Sequence, residues 1–162
     1  MKALFLRQVV STTVLLTALC FSANVLAECK DNSEHYIIFG DTVYDKKANL
    51  TWARCSVGQA WKGSGCVGVV KTFVFGAAQE LASAGWRLPT VDELKTLLTR
   101  GCPGSMINTD AFPDMGELVY WPSTSLGSAA WHVSFSDGTA RMGGRGYSFA
   151  VRLVRDAGTD TQ

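Results

Sequence analysis

The chain has 162 residues, 47% of them hydrophobic and 18% charged, with 15 basic side chains against 14 acidic ones. That length supports one compact domain with a sizeable core, and the apolar share excludes disorder as a description of the whole chain. A balance this close to neutral gives no general electrostatic reason to bind nucleic acid.

Part of the apolar excess is local. Lys2 and Arg7 precede an apolar run over residues 9–21, broken only by Ser11, Thr12, Thr13 and Thr17, and Val25-Leu26-Ala27 follows. A charged start, an apolar middle and small residues ahead of a cleavage point predict a secretory signal peptide over residues 1–27. A membrane helix needs about 20 apolar residues. This run is shorter and ends in Ser22 and Asn24, so a retained anchor is the lesser alternative. Cys20 follows Leu19 where a lipoprotein signal wants Gly or Ala, and that reading is set aside. Cleavage after Ala27 removes Lys2 and Arg7 and no acid, leaving 13 basic and 14 acidic residues, a net of −1. No later segment is apolar enough to span a bilayer. The expected location is the periplasm or the outside of the cell.

Cys20 leaves with the signal, and Cys29, Cys55, Cys66 and Cys102 remain. An even number in an exported chain predicts two disulfides, with three connectivities open. Cys55 and Cys66 bracket a Gly/Ser-rich loop over residues 56–65 and pair most naturally, which leaves Cys29 with Cys102. Zinc is the competing reading. It is weak, because no CxxC is present and both histidines, His35 and His132, are distant from the cysteines in sequence.

In chain order, residues 35–39 and 42–44 are β-branched and aromatic, with Gly40-Asp41 as a turn between them. Residues 44–52 read as strand, turn and strand. Asn49-Leu50-Thr51 matches a glycosylation sequon, a short pattern that carries little weight in a bacterial protein. Residues 75–84 hold Ala77, Ala78, Leu81 and Ala82 at helical spacing, with Gly85 as the stop. A second helix is better marked. Thr90-Val91-Asp92-Glu93 is a capping box after Pro89, and Val91, Leu94, Leu97 and Leu98 form one apolar stripe. Asp92 and Glu93 suit the first turn, Arg100 suits the last, and Gly101 ends it. Strands return at residues 118–121. Residues 131–135 alternate, with Trp131, Val133 and Phe135 on one face and His132 on a polar face. Ser136-Asp137-Gly138 is a hairpin signal and residues 139–142 run back. Gly143-Gly144-Arg145-Gly146 reads as a flexible loop. Phe149, Val151 and Leu153 alternate in a last strand. No repeat or linker divides residues 28–156, which are read as one domain followed by a flexible tail at 157–162. Strands first, two helices in the middle and strands last predict an α+β fold whose terminal strands pair.

The chain has no GxSxG, HExxH, Walker loop or dinucleotide fingerprint. His132 reads as a surface or packing residue before a catalytic one. Asp110, Asp114 and Glu117 are oxygen ligands of the kind that takes Ca²⁺, but they lack an EF-hand pattern, and acids in a loop read first as solvated. No metal or cofactor is assigned. Most of the five tryptophans read as core; Trp61 is the exception, set beside Lys62 in the loop between Cys55 and Cys66. Arg141 and Arg145 stand around a glycine-rich stretch, where guanidinium groups match sulfate or carboxylate geometry. Arg152 and Arg155, on or beyond the closing strand, are candidates for structural partners.

Gly40-Asp41-Thr42-Val43-Tyr44-Asp45, then Leu50-Thr51-Trp52-Ala53-Arg54-Cys55-Ser56-Val57-Gly58-Gln59, resembles the opening signature of the Lcl C-terminal domain family, named for a bacterial collagen-like adhesin. Gly65-Cys66-Val67-Gly68, Trp86-Arg87-Leu88-Pro89-Thr90 with Glu93-Leu94, and Ile107-Asn108 with Ala111-Phe112-Pro113 extend the match. Tyr120-Trp121-Pro122-Ser123-Thr124, residues 131–138 and Val151-Arg152-Leu153-Val154-Arg155 complete it in the same order. The resemblance implies an exported bacterial domain with a C-type-lectin-like fold, similar to the formylglycine-generating sulfatase-modifying factors, in a family that includes domains binding sulfated polysaccharides. This chain has no collagen-like repeat, no Glu-Pro-Asn or Gln-Pro-Asp tripeptide of calcium-dependent lectins, and no late catalytic cysteine pair.

The expectation is therefore a non-enzymatic recognition or adhesion domain. It would bind an anionic polysaccharide or an envelope protein, with Arg141, Arg145, Trp61, Lys62 and His132 as candidate ligand residues. The alternatives are an enzyme or enzyme accessory related to the sulfatase-modifying factors, and a structural component of a pilus or secretion assembly.

Overall fold

Short β-branched and aromatic runs separated by Gly, Asn and Asp turns dominate the sequence, and they fold as short strands. The computed structural model describes residues 33–99 and 106–158. Residues 1–27, where a signal peptide is expected, Cys29 and Cys102 with their expected bridge, Arg100, Gly101 and residues 159–162 lie outside the described residues.

A 3-10 turn at Ser33–His35 leads into β1 (Tyr36–Phe39), β2 (Thr42–Asp45) and β3 (Leu50–Ala53). Then come β4 (Gln59–Trp61), β5 (Cys66–Gly68), β6 (Thr72–Phe73), α1 (Phe75–Gln79) and α2 (Val91–Thr96). The second half holds β7 (Val119–Tyr120), β8 (Ser125–Leu126), β9 (Ala129–Ser134), β10 (Ala140–Gly144), β11 (Phe149–Ala150) and β12 (Val154–Asp156). The first sheet has the order β1-β2-β3-β12, and the second has β10-β9-β7-β11-β6 with β8 also on β9. The segments β4 and β5 form a separate hairpin. The fold is mixed α+β with few helices, and the last strand joins the first sheet against β3, not β1.

Two apolar clusters fill it. Val43, Leu50, Trp52 and Val154 of the first sheet meet Tyr120, Val133, Phe135 and Ala150 of the second, with Leu94 and Leu97 of the α2 segment packed between. The opposite face of the second sheet carries the other cluster: Phe75 and Ala78 of α1, with Leu88, Trp121, Ala130 and Val151. Both faces of the second sheet are therefore covered, which explains its apolar content on alternate and intervening positions alike.

Several expectations change in detail. The first helix covers only Phe75–Gln79, half the apolar pattern. Ala84 and Gly85 take positive φ, and Ser83 bridges Trp86, so the chain turns back before another helical turn can form. The Thr90–Glu93 capping box is present in full. Residues 56–65 contain strand β4, with Trp61 directly opposite Cys66. Gly143 and Gly144 belong to β10, paired with Ala130 and Ala129, so that stretch is strand and not loop. The single closing strand is two: β11 lies in the second sheet and β12 in the first. Between them Val151 accepts a hydrogen bond from the Val57 amide, and Leu153 accepts one from the Ala53 amide.

Candidate functional site

The break between β11 and β12 is built around Arg152, whose side chain is fully buried. Its guanidinium donates to Ala53 O at 2.6 Å, to Ser56 Oγ at 3.1 Å and to Asp114 Oδ1 at 2.5 Å. Asp114 Oδ2 accepts from the Ser56 amide at 2.7 Å, and Ser56 Oγ shares a hydrogen bond with the Tyr120 hydroxyl at 2.7 Å. Burial pushes the Tyr120 phenol above its ordinary value, against the opposing Arg152 charge. This network is closed to solvent and ties the loop after β3 to both sheets. It uses Asp114, one of the three acids considered for Ca²⁺, and Arg152 has the structural partners expected of it. Glu117 is exposed and the Asp110 carbonyl accepts from Arg54. Among the described residues no group of three or more His, Cys, Asp or Glu side chains is placed to hold a metal ion.

The described bridge joins Cys55 to Cys66, with Cα atoms 5.6 Å apart. It closes the β4–β5 hairpin and sets Trp61 beneath Arg54, whose guanidinium lies 3.6 Å from the ring centroid. Arg54 also donates to the Gly40, Ala111 and Asp110 carbonyls. Trp61 is thus half-buried and already stacked, while Lys62 is exposed at the hairpin tip.

His132 and Arg141 meet on the second sheet, and Arg145 stands just past the end of β10. Arg141 on β10 is directly opposite His132 on β9, so both side chains share the face that carries Ala130 and Trp121. That face is not polar, as the alternation suggested. The His132 ring packs 5.0 Å from Phe149 and 6.3 Å from Trp121, and its buried Nδ1 has no hydrogen-bond partner. Burial, and then the nearby Arg141 charge, hold the imidazole below its ordinary value. The row continues from Phe149 to Trp121 at 4.6 Å and from Trp121 to Phe75 at 5.4 Å. At its far end the Arg145 guanidinium lies 5.1 Å from the Phe75 ring and donates to Ser125 Oγ at 3.0 Å. Tyr147, 60% exposed, stacks on Phe149 at 5.9 Å.

Two arginines therefore bracket a row of rings with an exposed tyrosine on it. Arg141 is 66% exposed and has the Asp137 carboxylate beside it, at 3.5 Å. Gly143 leaves room for the imidazole: a Cβ at that position would meet His132 Cε1 at 3.1 Å, so the ring would have to shift. Trp61 and Lys62 are not among the ring or hydrogen-bond contacts of this row. Tyr147 was missed by sequence reasoning; its only signal was a tyrosine two residues from Phe149 after a glycine-rich stretch.

The fold and this surface define a disulfide-bridged α+β domain of strand-rich type. The chain belongs to the Lcl C-terminal domain family, which matches residues 41–155. No curated protein matches the chain, and no solved structure does. No helix among the described residues is long and apolar enough to cross a membrane.

Proposed function

We propose that this is an exported, non-enzymatic recognition domain with a C-type-lectin-like fold that binds an anionic polysaccharide through Arg141 and Arg145. The observation that carries the reading is the bracketed row itself. Two exposed arginines stand at opposite ends of an aromatic row that is buried at Trp121 and Phe75 and open to solvent at Tyr147. Guanidinium groups grip sulfate or carboxylate by charge-assisted hydrogen bonds, and an exposed ring offers a platform for a sugar face between them. Both arginines are exposed residues, unlike Arg152, although the Arg145 guanidinium also lies against the buried Phe75 ring and bonds Ser125.

The test is binding to heparin by the wild type and by Arg141→Ala/Arg145→Ala at low and moderate salt. Binding should fall in the double variant and weaken with salt, because exposed charges are screened beyond roughly 10 Å at 0.1 M. Equal binding by both proteins overturns the site. A second reading takes an envelope protein as partner. It draws on the reverse face of the same strands, where Leu126 and Met142 are exposed close to Trp131. Absence of heparin binding even at low salt moves that reading ahead.

A further inference from the structure

The first sheet has its own surface feature, and it shares no residue with the arginine-bracketed row. Val43 and Trp52 point into the core and are fully buried, so Thr42, Tyr44 and Thr51 lie on the other face, with Thr42 and Tyr44 half-buried and Thr51 only 6% exposed at the groove floor. There the cross-strand pairs Phe39–Thr42 and Tyr44–Thr51 stand side by side. Together with Asn49 and Ala157 they line a groove of ≈ 400 Å³. Among the described residues no charged side chain lines it.

The groove is held in shape by bonds at its rim. The Tyr44 hydroxyl donates to Asn49 Oδ1 at 3.1 Å, and Thr42 Oγ1 donates to Phe39 O at 3.1 Å. The Ala157 amide donates to Asn49 O at 3.2 Å. Arg54 fixes the adjoining β1–β2 turn, with its side chain on Gly40 O and its amide on Asp41 O. Phe39 nevertheless stays 61% exposed at the groove edge. Core packing does not explain a large ring in that position.

We propose that this groove is a binding site for an uncharged sugar ring, separate from the anionic-glycan surface. A pyranose has an apolar C–H face and a rim of hydroxyls, each both donor and acceptor. Phe39 supplies the ring for the face. The Thr42 and Tyr44 hydroxyls, whose protons are used at the rim, keep lone pairs that accept from sugar hydroxyls, and the Asn49 amide keeps N–H groups that donate to them. The volume lies at the low end of the range of about 300–1,000 Å³ for small-molecule sites, which suits one or two sugar rings. The absence of lining charge selects neutral sugars, and the pre-set rim keeps the ordering cost low.

The test is calorimetric titration of the purified full chain with three neutral hexasaccharides: β-1,4-linked glucose, α-1,4-linked glucose and β-1,4-linked N-acetylglucosamine. At least one should bind, with an affinity unchanged between low and high salt. Phe39→Ala should weaken it about tenfold and Phe39→Trp should retain it. Tyr44→Phe, which keeps the ring and loses the hydroxyl, should weaken it about fivefold. Arg141→Ala/Arg145→Ala should leave it unchanged, so failure of one site does not imply failure of the other. The proposal is overturned if none of the three binds, or if binding ignores Phe39→Ala, or if it follows salt and the two arginines. It is also overturned if only a chain ending at Gly158 binds, because the occupant is then the chain's own C-terminal segment.

Discussion

The Arg152 guanidinium lies 2.5 Å from the Asp114 carboxylate, and neither side chain has meaningful contact with water. Taking two charges out of water costs several kcal/mol per ion, and their attraction offsets this only when the remaining polar atoms are satisfied. Here Ala53 O, Ser56 Oγ and the Ser56 amide complete most of that requirement, while Arg152 Nε is buried without a partner. Asp114→Ala should therefore destabilise the domain by about 3–5 kcal/mol, because it strands a buried cation. Arg152→Met/Asp114→Leu should lose less than the Asp114→Ala single variant. Denaturant unfolding of each protein checks this, and a double variant as unstable as the sum of the two singles contradicts it.

The capping box at α2 is reinforced from outside the helix. Glu93 accepts the Thr90 amide at 2.7 Å and both terminal nitrogens of Arg87 at 2.8 Å, and Arg87 reaches on to Asp156 at 2.8 Å. Thr90→Ala should cost about 0.5–2 kcal/mol. The loss should be smaller in a Glu93→Ala background, since the two residues act as one unit. Strict additivity in the denaturant melts counts against that coupling. Arg87, first, holds the Glu93 carboxyl below its usual range. Its contribution is thus complete above the ordinary carboxylate value and is lost as pH falls through the lower folded one.

His132 gives a separate pH effect at a higher pH. Its imidazole is held down in the folded state, by burial first and Arg141 second. The unfolded chain protonates this group near pH ~6.5, before the folded chain does. Stability is therefore full above that value and falls as pH drops from it toward the folded value. His132→Gln should flatten the stability profile across this window while leaving the carboxylate loss at lower pH. An unchanged slope between neutral and mildly acid pH would falsify the assignment.

The Cys55–Cys66 bridge closes a short loop, with a sequence separation of 11. In the chain-entropy description a loop of that size is worth roughly 3 kcal/mol. Cys55→Ser/Cys66→Ser should lower stability by about that amount. It should also loosen the Arg54–Trp61 stack, which is read by tryptophan fluorescence. A fluorescence spectrum identical to wild type would show that the stack does not depend on the bridge.

Burial of Tyr120 predicts a selective effect at alkaline pH. Its phenol sits above the ordinary value, chiefly through desolvation. Spectrophotometric titration should find one tyrosine that stays protonated beyond the usual range of about pH 10 until the fold opens. Tyr120→Phe should remove that late component.

Local signals were readable where short-range chemistry decides the outcome. Thr90 and Glu93 announced their box, Gly40-Asp41 its turn, and Cys55 and Cys66 their bridge, because each depends on neighbours within a few positions. The pairing of β12 with β3 and the split of the closing strand depend on residues about a hundred positions apart, and no periodicity encodes them. His132 was placed on the wrong kind of face for a related reason. Alternation identifies two faces of a strand but not whether both are covered, and here α1 and Trp121 cover the second. Arg141, Arg145 and His132 were named singly; their arrangement along the Phe149–Trp121–Phe75 row follows only from the tertiary fold. The groove beside Phe39 left no sequence trace, since threonines and tyrosines on a strand are ordinary strand formers.

The position of β12 constrains when this chain can fold. The sheet that opens the domain lacks its fourth strand until Val154–Asp156 arrive, and Arg152, just upstream, brings the charge that Asp114 awaits. A nascent or truncated chain ending before these residues has an open β3 edge and an unpaired buried acid. Closure of the first sheet and of the buried ion pair therefore waits until residues 152–156 have been made, because contacts this distant in sequence form late.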